Sequence, residues 1–148
     1  MLNLKKILVP VDFSQGSELS LKYAISFARE YKAQIHVLHV IEEEALQPGQ
    51  FNDPLHTAAK WEADAKKRLD EFVSQPLQEF DVVRHVRGGM AHEAILDLAR
   101  ENGIDLIIVG AHGESGYVDS WLGGTSYEVA RKSPCPVLTV KPCEHDFV

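Results

Sequence analysis

The amino-acid sequence predicts an α/β fold: a single doubly wound, mostly parallel five-stranded sheet with helices on both faces. Short apolar runs of strand length alternate with longer amphipathic segments, a pattern typical of repeated βα units. There are five apolar runs and four amphipathic segments, and right-handed crossovers between them give a doubly wound sheet, for which we expect the Rossmann-like strand order 3-2-1-4-5. We expect residues 1–148 to form one domain, because their number suits one hydrophobic core.

The first strand and the first helix are predicted near the start of the chain. Residues 7–11 form an apolar run, as a parallel strand covered on both faces requires. Pro10 has no N–H to donate and therefore suits the end of that strand. Ser14 or Ser17 then caps a helix, because serine oxygens accept from the free N–H groups of a first turn. The apolar stripe of this helix is Leu21, Ala24, Ile25 and Ala28.

The middle of the chain is less regular. A second strand is predicted at 35–41 and a long loop, rich in proline and glycine, at 42–53. A second helix follows at 56–74, and its charged face is interpreted as solvated surface. Residues 80–86 alternate as a strand at a sheet edge does, and a pair of glycines ends this third strand.

The last third of the chain contains the clearest helical pattern. A third helix is predicted to end at Gly103, where a glycine C-cap is expected. Its apolar residues are Ala91, Ala94, Ile95, Leu98 and Ala99. A buried fourth strand is predicted at 106–109, a fourth helix at 125–132 and a fifth strand at 137–140.

The overall composition argues against several classes of protein. Hydrophobic residues make up 45% and charged residues 25% of the chain, as in an ordinary soluble globular protein. The net charge of -7 argues against nucleic acid as a partner, because nucleic acid requires a basic face, and residues 84–87 are only a local basic patch. No apolar stretch suits a signal peptide or a membrane span, so we expect a cytoplasmic protein with no membrane partner.

The two cysteines, Cys135 and Cys143, do not make a disulfide framework, and we interpret them as reduced thiols. Cys143 and His145 lie near the chain end and are too few to enclose a metal ion. No metal site is therefore predicted.

Two loops of unusual composition follow the first and the fourth strand. Residues 10–14 follow the first, and residues 110–117, leading on to 122–126, follow the fourth. In open α/β sheets, ligands bind at the carboxyl ends of the strands where the winding reverses. If the first and fourth strands are neighbours, the two loops face each other across one crevice.

The second of these loops has the composition of a phosphate-binding loop. Thr125 with Glu128 three residues later predicts a capping box, so a helix is expected to begin there. Gly123 and Gly124 would then lie just before the free N–H groups of that helix, which attract anions. The alternative interpretation is a flexible connection followed by an ordinary helix cap.

Three motifs together resemble the universal stress protein family of the UspA type. Gly110, Gly113 and Gly123 have the G-x2-G-x9-G spacing of its ATP-binding loop. Residues 7–14 are similar to its first strand and turn, and residues 133–140 to its last strand. The resemblance covers residues 5–141 and implies a homodimeric regulatory protein of the stress response that binds ATP with Mg2+ and is not a dedicated enzyme.

The resemblance also implies a role for individual residues. Asp12 contacts the adenosine part of the nucleotide, Pro10 and Val11 belong to the same turn, and Val40 lines the adenine pocket. Asp12 also has the alternative of a turn or helix-entry residue. The loop glycines Gly110, Gly113 and Gly123 surround the phosphates, and His112 between them either bonds the ligand or shapes the loop.

One position departs from the family pattern. The residue after the last glycine is normally serine or threonine, whose hydroxyl meets the phosphates, whereas here it is Gly124. Either Gly124 weakens the phosphate contact, or Thr125 or Ser126 fills the role. A scaffold dimer that no longer binds nucleotide therefore remains an alternative.

An enzyme that transfers phosphoryl or nucleotidyl groups, or a slow ATPase, is the less favoured alternative. The glycines are not followed by a Walker A lysine, and no Ser-His-Asp or His-Glu-x-x-His arrangement is recognisable. His36, His39 and His85 lie on predicted strands and are given no catalytic role.

The last predicted strand suggests how the chain associates. Val137, Leu138, Thr139 and Val140 are apolar or β-branched and should form one edge of the sheet, and such an edge invites pairing with another chain. Members of the family commonly dimerise through this strand, so the resemblance implies a homodimer. The alternative is an edge covered by the C-terminal tail.

Overall fold

The computed structural model describes residues 1–42, 58–111, 124–143, 145 and 148. These residues form strands and helices in alternation, namely β1 (Lys6–Pro10), α1 (Gln15–Tyr31), β2 (Gln34–Ile41), α2 (Ala58–Val73), β3 (Val82–Gly88), α3 (Ala91–Asn102), β4 (Leu106–Gly110), α4 (Gly124–Lys132) and β5 (Val137–Val140). The strands form one parallel sheet in the order β3-β2-β1-β4-β5. The predicted strand order and fold class are confirmed.

The direction of winding reverses between β1 and β4, which are neighbours at the centre of the sheet. Ile7 pairs with Leu106, and Leu8 pairs with Ile107. On its other side β1 pairs with β2, and β4 pairs with β5. The carboxyl ends of β1 and β4 therefore open onto the place where ligands bind in open α/β sheets.

Two apolar layers cover the two faces of the sheet. In β1, Ile7 and Val9 belong to the first layer, and Leu8 between them belongs to the second. All three are fully buried. Leu21 of α1 belongs to the first layer and Ile95 of α3 to the second. The strands are thus apolar on both sides because helices cover both sides, as predicted.

The helix ends follow the local sequence. Ser14 is the N-cap of α1, and its hydroxyl accepts from the N–H of Ser17 at 3.3 Å, so Ser17 lies inside the first turn and is not the cap. α3 ends at Gly103 with a φ of 61°, as predicted. α1 ends at Lys32 with a φ of 58°, a left-handed conformation that is uncommon for a residue with a Cβ atom.

The start of α4 differs from the prediction. The helix already includes Gly124, so Thr125 lies within the first turn and is not its N-cap. The predicted capping box is wrong because its cap residue, Thr125, lies inside the helix. The Glu128 carboxylate pairs instead with Lys132 at 2.8 Å and with Arg131 at 3.4 Å, one turn further along the same helix. Ion pairs at i,i+3 and i,i+4 are the usual ones between side chains on a helix surface.

Other boundaries shift by small amounts. β2 begins one residue before its predicted start, and β3 runs from Val82 to Gly88 where the prediction was 80–86. α2 is described from Ala58, and the two residues before it that were predicted helical lie outside the described residues. The same holds for the predicted loop at 42–53, of which only Glu42 is described.

Candidate functional site

Hydrogen bonds hold Asp12 in one orientation at the carboxyl end of β1. Its Oδ1 atom accepts from the Ser17 hydroxyl at 2.7 Å, from the Ser14 N–H at 3.1 Å and from the Ser14 hydroxyl. The N–H of Asp12 donates to the Ser17 hydroxyl at 2.9 Å. A carboxylate oxygen with three donors is well satisfied, so the orientation of the side chain is fixed at this end of the sheet.

The backbone before Asp12 is attached to β2. The N–H of Val11 donates to the carbonyl of Leu38 at 2.8 Å, and the carbonyl of Val11 lies 2.8 Å from Nδ1 of His39. Because a carbonyl oxygen only accepts, His39 carries a proton on Nδ1. Pro10 ends β1 with no N–H of its own. The predicted turn residues Pro10 and Val11 are thus held by their neighbouring strand.

Phe13 adopts an unusual backbone conformation beside Asp12. Its φ is 65°, in the left-handed region that bulky residues rarely enter. The ring is held from three sides: by His39 at 4.5 Å and Phe72 at 5.4 Å between ring centroids, and by the Arg68 guanidinium at 4.1 Å from the ring centroid. Sequence reasoning assigned no role to Phe13 or His39, because nothing in the sequence indicated that their rings would meet.

Gly110 ends β4 directly against the start of α1. A Cβ atom built on Gly110 would lie 3.1 Å from the Cα and carbonyl carbon of Gly16. Only a residue without a side chain allows the strand and the helix to approach this closely. The packing therefore requires glycine at position 110 for a structural reason. That reason is separate from the contact with phosphates that the resemblance implies.

The first turn of α4 is attached to the end of β4. The Ser126 hydroxyl donates to the carbonyl of Gly110 at 2.5 Å, and Ser126 is only 5% exposed. The hydrogen of that hydroxyl is therefore committed to the protein. Gly124 itself is exposed. Thr125 is half-buried, so its hydroxyl is more accessible to a ligand than that of Ser126; these are the two hydroxyls considered for the phosphate contact that Gly124 lacks.

The remaining predicted site residues lie in different places. Val40 is half-buried near the end of β2 and packs on the apolar layer beneath α3 and α4. Asp12, in contrast, is hydrogen-bonded to the start of α1. His112, Gly113 and Gly123 lie outside the described residues. The structure brings Pro10, Val11, Asp12, Gly110, Gly124, Thr125 and Ser126 to the carboxyl ends of β1 and β4 and to the start of α4.

A second polar cluster lies on β2 and β3, on the face that α3 covers. Asp81 Oδ2 accepts from Gln34 Nε2 at 2.6 Å, and Gln34 Oε1 lies 2.9 Å from His36 Nε2. Nδ1 of His36 lies 3.0 Å from Nε2 of His85. Since the Gln34 oxygen only accepts, a neutral His36 carries its proton on Nε2, and Nδ1 then accepts from His85. Each hydrogen bond in this series, which we call the histidine chain (Asp81, Gln34, His36 and His85), thus has an assigned donor and acceptor.

Burial keeps both imidazoles of the histidine chain neutral near pH 7. It lowers the pKa of His36 to about 4; the neighbouring His85 and Lys6 act in the same direction, and Asp81 acts against them. Burial also lowers the pKa of His85, assisted by Arg87 and opposed by Glu101. Sequence reasoning placed these histidines on strands but did not identify the pair.

The described residues contain no group of three or more His, Cys, Asp or Glu that suits a metal ion. Cys135 and Cys143 are free thiols, and burial raises the pKa of the Cys135 thiol. No helix in the described parts of the chain is both long and apolar enough to cross a membrane.

Comparison with known proteins relates the chain to other sequences over nearly its whole length. It is 31% identical to universal stress protein MJ0577 of Methanocaldococcus jannaschii, over 93% of this chain and 94% of the relative. It is 33% identical to universal stress protein YxiE of Bacillus subtilis, over 92% of this chain and 98% of the relative.

Solved structures show the same fold. That of MJ0577 superposes with a TM-score of 0.83 at 33% identity and covers 97% of this chain and 100% of the solved chain. The universal stress protein UspA of Lactobacillus plantarum superposes with a TM-score of 0.74 at 25% identity, over 95% and 100% of the two chains. Residues 3–141 match the universal stress protein family, and the chain belongs to that family.

Proposed function

We propose that this chain is a nucleotide-binding regulatory protein of the stress response that binds ATP at the carboxyl ends of β1 and β4 and acts as a homodimer. The observation that carries the proposal is the Asp12 carboxylate, which three donors hold beside the centre of the sheet. A fixed acceptor at this position suits the hydroxyl groups of a ribose or the donors of an adenine. The start of α4 supplies the positive end of a helix for phosphates.

Relatives with the same fold support an adenine nucleotide as the ligand. One universal stress protein has been solved in complex with cAMP, with a TM-score of 0.66 at 22% identity. Another, from Archaeoglobus fulgidus, has been solved in complex with dAMP, with a TM-score of 0.68 at 22% identity. At this identity the likeness is one of fold. It supports the capacity of this architecture to hold an adenine nucleotide, and ATP is our proposal for this chain.

Mg2+ would accompany ATP as a counter-ion of the phosphates. Among the described residues Asp12 is the carboxylate at this crevice, and its Oδ1 atom is already saturated by Ser14 and Ser17. Mg2+ usually keeps several waters and takes only one or two protein carboxylates. The residues at the site therefore fit a metal that is held mainly by the nucleotide itself.

We further propose that the protein is not a dedicated enzyme. Phosphoryl transfer relies on a base or water-positioning residue and on positive charge at the transferring group. The described side chains at the ends of β1 and β4 supply one carboxylate, which is engaged by serines, and hydroxyls such as Ser126 that are engaged by the backbone. Binding without fast turnover agrees with a regulatory role.

Calorimetric titration tests the nucleotide site. ATP with Mg2+ is titrated into protein freed of bound nucleotide, with ADP and AMP for comparison, and we expect micromolar affinity for ATP. Asp12→Ala should weaken binding by about tenfold to a hundredfold, because a hydrogen bond to a charged group contributes about 1.5–3 kcal/mol. Asp97→Ala, an exposed carboxylate on α3, is the control and should bind as the wild type does. Folded protein that shows no saturation at millimolar ATP would support the scaffold alternative.

The two edges of the sheet differ in a way that favours β5 for dimerisation. β3 carries Arg84 and Arg87, and charged side chains protect an edge against pairing. β5 carries no charged residue. After β5 the chain leads toward α1, where desolvation and the neighbouring Cys143 raise the pKa of Tyr23.

A proline at the free edge of β5 tests the proposed dimer. The carbonyls of Pro136 and Val140 accept from Ile107 and Ala111 on the β4 side, so the N–H of the alternate residue Thr139 faces the open edge. Thr139→Pro should therefore remove an edge donor without removing a β4–β5 hydrogen bond, and light scattering should report a monomer. Thr139→Val is the matched control and should remain a dimer. A wild-type monomer would contradict the proposal.

The two free thiols, Cys135 and Cys143, suit a reducing compartment, and we propose the cytoplasm as the location. Fractionation of the source cells tests this proposal. The protein should appear with cytoplasmic markers, and its appearance in a secreted fraction would contradict it.

A further inference from the structure

We propose that Ser17 is a positioning residue of the nucleotide site and sets the orientation of the Asp12 carboxylate without contacting the ligand. The inference rests on the nucleotide-binding function proposed above. Ser17 lies in the first turn of α1 and is 4% exposed. A ligand in the crevice therefore does not reach its hydroxyl, and any effect of Ser17 on binding has to pass through another residue.

Ser17 makes two hydrogen bonds to one residue through a single oxygen. Its hydroxyl donates to Asp12 Oδ1 at 2.7 Å and accepts from the Asp12 N–H at 2.9 Å. The first bond fixes the side chain of Asp12 and the second fixes its backbone, so together they restrict the torsion that joins the two. A hydroxyl has one hydrogen to donate, and here it is committed to the carboxylate.

Ser14 shares the carboxylate but has a different task. The Ser14 hydroxyl caps α1 by accepting from the N–H of Ser17 at 3.3 Å, and it also donates to Asp12 Oδ1. The contribution of Ser17 to the cap comes from its backbone N–H, not from its hydroxyl. Ser17→Ala therefore leaves the helix cap in place and removes only the two bonds to Asp12, whereas Ser14→Ala disturbs both.

The turn that carries Asp12 needs such support. The next residue, Phe13, has a φ of 65°, a conformation that a peptide of this sequence rarely adopts by itself. Ring contacts with His39 of β2 and Arg68 of α2 hold Phe13 on one side of the turn, and the Ser17 bonds hold Asp12 from the side of α1. Asp12 is thus held from both sides, which is how a binding group is kept preorganised.

A double-mutant cycle separates this role from a general effect on the fold. ATP with Mg2+ is titrated by calorimetry into the wild type, Ser17→Ala, Asp12→Ala and the double variant. We expect Ser17→Ala to weaken ATP binding by about threefold to tenfold, as loss of an ordinary hydrogen bond does. In the Asp12→Ala background the same change should have no further effect. Equal losses in both backgrounds, or unchanged affinity of Ser17→Ala, would overturn the proposal.

A matched control and a conservative variant sharpen the cycle. Ser20 is also a buried serine of α1, and its hydroxyl donates to the carbonyl of Gly16 at 2.8 Å. Ser20→Ala should leave ATP affinity within about twofold of the wild type, since its bond does not reach Asp12. Ser17→Thr keeps the hydroxyl and should restore most of the affinity that Ser17→Ala loses. A loss in Ser20→Ala as large as that in Ser17→Ala would indicate a merely structural effect and overturn the proposal.

Amide hydrogen exchange in nucleotide-free protein separates failure of this inference from failure of the nucleotide function. In Ser17→Ala the Asp12 amide loses its acceptor and should exchange at least tenfold faster, while the Ser17 amide, bonded to Ser14, keeps its protection. If the wild type does not bind ATP, the nucleotide function fails whatever the exchange shows. If the Asp12 amide exchanges at the wild-type rate, the positioning role of Ser17 is overturned even when ATP binds.

Discussion

Gly110 at the end of β4 and Gly16 in the first turn of α1 are in backbone contact across the centre of the fold. A Cβ atom on Gly110 would lie 3.1 Å from two backbone carbons of Gly16 and 3.2 Å from its oxygen. A flexible side chain would move away from such a contact, but the backbone at the start of a packed helix moves only at a cost. The contact brings β4 close to α1. The same helix holds the Asp12 carboxylate through the hydroxyl of Ser17.

We predict that Gly110→Ala lowers the free energy of unfolding by about 1–3 kcal/mol, the usual cost of overpacking a well-packed contact. Gly88, at the end of β3, is the matched control, because the nearest atom to its built Cβ is the Ile41 oxygen at 3.9 Å. Gly88→Ala should leave stability unchanged or raise it by about 0.4–1 kcal/mol. Urea denaturation followed by circular dichroism measures both, and equal effects of the two changes would contradict the packing argument.

The two left-handed helix ends predict changes of opposite sign. Lys32 ends α1 with a φ of 58° and Gly103 ends α3 with a φ of 61°. Because a Cβ atom costs about 1 kcal/mol in this conformation, Lys32→Gly should raise the free energy of unfolding and Gly103→Ala should lower it, each by about that amount. Thermal unfolding of both variants checks the prediction. A loss of stability in Lys32→Gly would show that its side chain contributes more than its backbone conformation costs.

Phe13 offers a test of strain against packing. Its ring contacts Arg68, His39 and Phe72, but Phe13 is only half-buried, so removal of the ring should destabilise the protein by less than the roughly 3–5 kcal/mol that truncation of a fully buried phenylalanine costs. Its φ of 65° makes alanine a poor replacement. We therefore predict that Phe13→Gly is more stable than Phe13→Ala by about 1 kcal/mol, although glycine is the more flexible residue. Urea denaturation decides, and the reverse order would show that the backbone relaxes once the ring is gone.

The histidine chain predicts that stability falls in acid. Burial lowers the pKa of His36 from 6.5 to about 4 and also lowers the pKa of His85. The unfolded chain therefore binds more protons than the folded one as the pH falls from about 6.5 toward 4. The contribution of these groups to stability is fully present above pH 6.5 and is lost through that window.

Replacement of His36 measures this contribution. His36→Leu should lose less stability between pH 7 and pH 5 than the wild type does, as followed by urea denaturation at the two values. His92 on α3 is the matched control, because its side chain is not among the hydrogen-bonded groups of the histidine chain. The same loss in His36→Leu as in the wild type would contradict the assignment.

The assigned hydrogen bonds also predict the position of each proton in the histidine chain. At pH 7, His36 and His85 should both be neutral with the proton on Nε2, because Gln34 Oε1 and His36 Nδ1 are the acceptors. Nitrogen chemical shifts of the two imidazoles distinguish the tautomers directly. A proton on Nδ1 of His36 would reverse the direction of the chain and require a rotated Gln34 amide.

Local features of the sequence determined much of the fold. The apolar runs at 7–11 and 106–109 were identified as buried strands because a parallel strand must be apolar on both faces. Ser14, as one of two serines considered, and Gly103 were identified as helix caps because cap chemistry involves residues only a few positions apart. Right-handed crossovers predicted a doubly wound sheet, and the expected Rossmann-like strand order is the one observed.

The same reasoning identified the place of the candidate site but not its contacts. Asp12, Gly110 and the start of α4 were expected at one end of the sheet because the carboxyl ends of parallel strands share an edge. The hydroxyl of Ser126 was one of two considered for the missing phosphate contact. In the structure it bonds the Gly110 carbonyl, because a helix that packs against a strand end meets a backbone acceptor there.

The contacts that only the tertiary structure decided join residues far apart in the chain. They are the bond from His39 to Val11, the pair His36–His85 and the approach of Gly110 to Gly16. Periodicity assigns a residue to a face of a strand or helix, because it depends on the geometry of one element. Whether two such residues touch depends on the register and separation of different elements, which the packing of the whole core sets. The sequence by itself therefore determined the family, the elements and the end of the sheet where the candidate site residues lie, and the packing decided which atoms meet there.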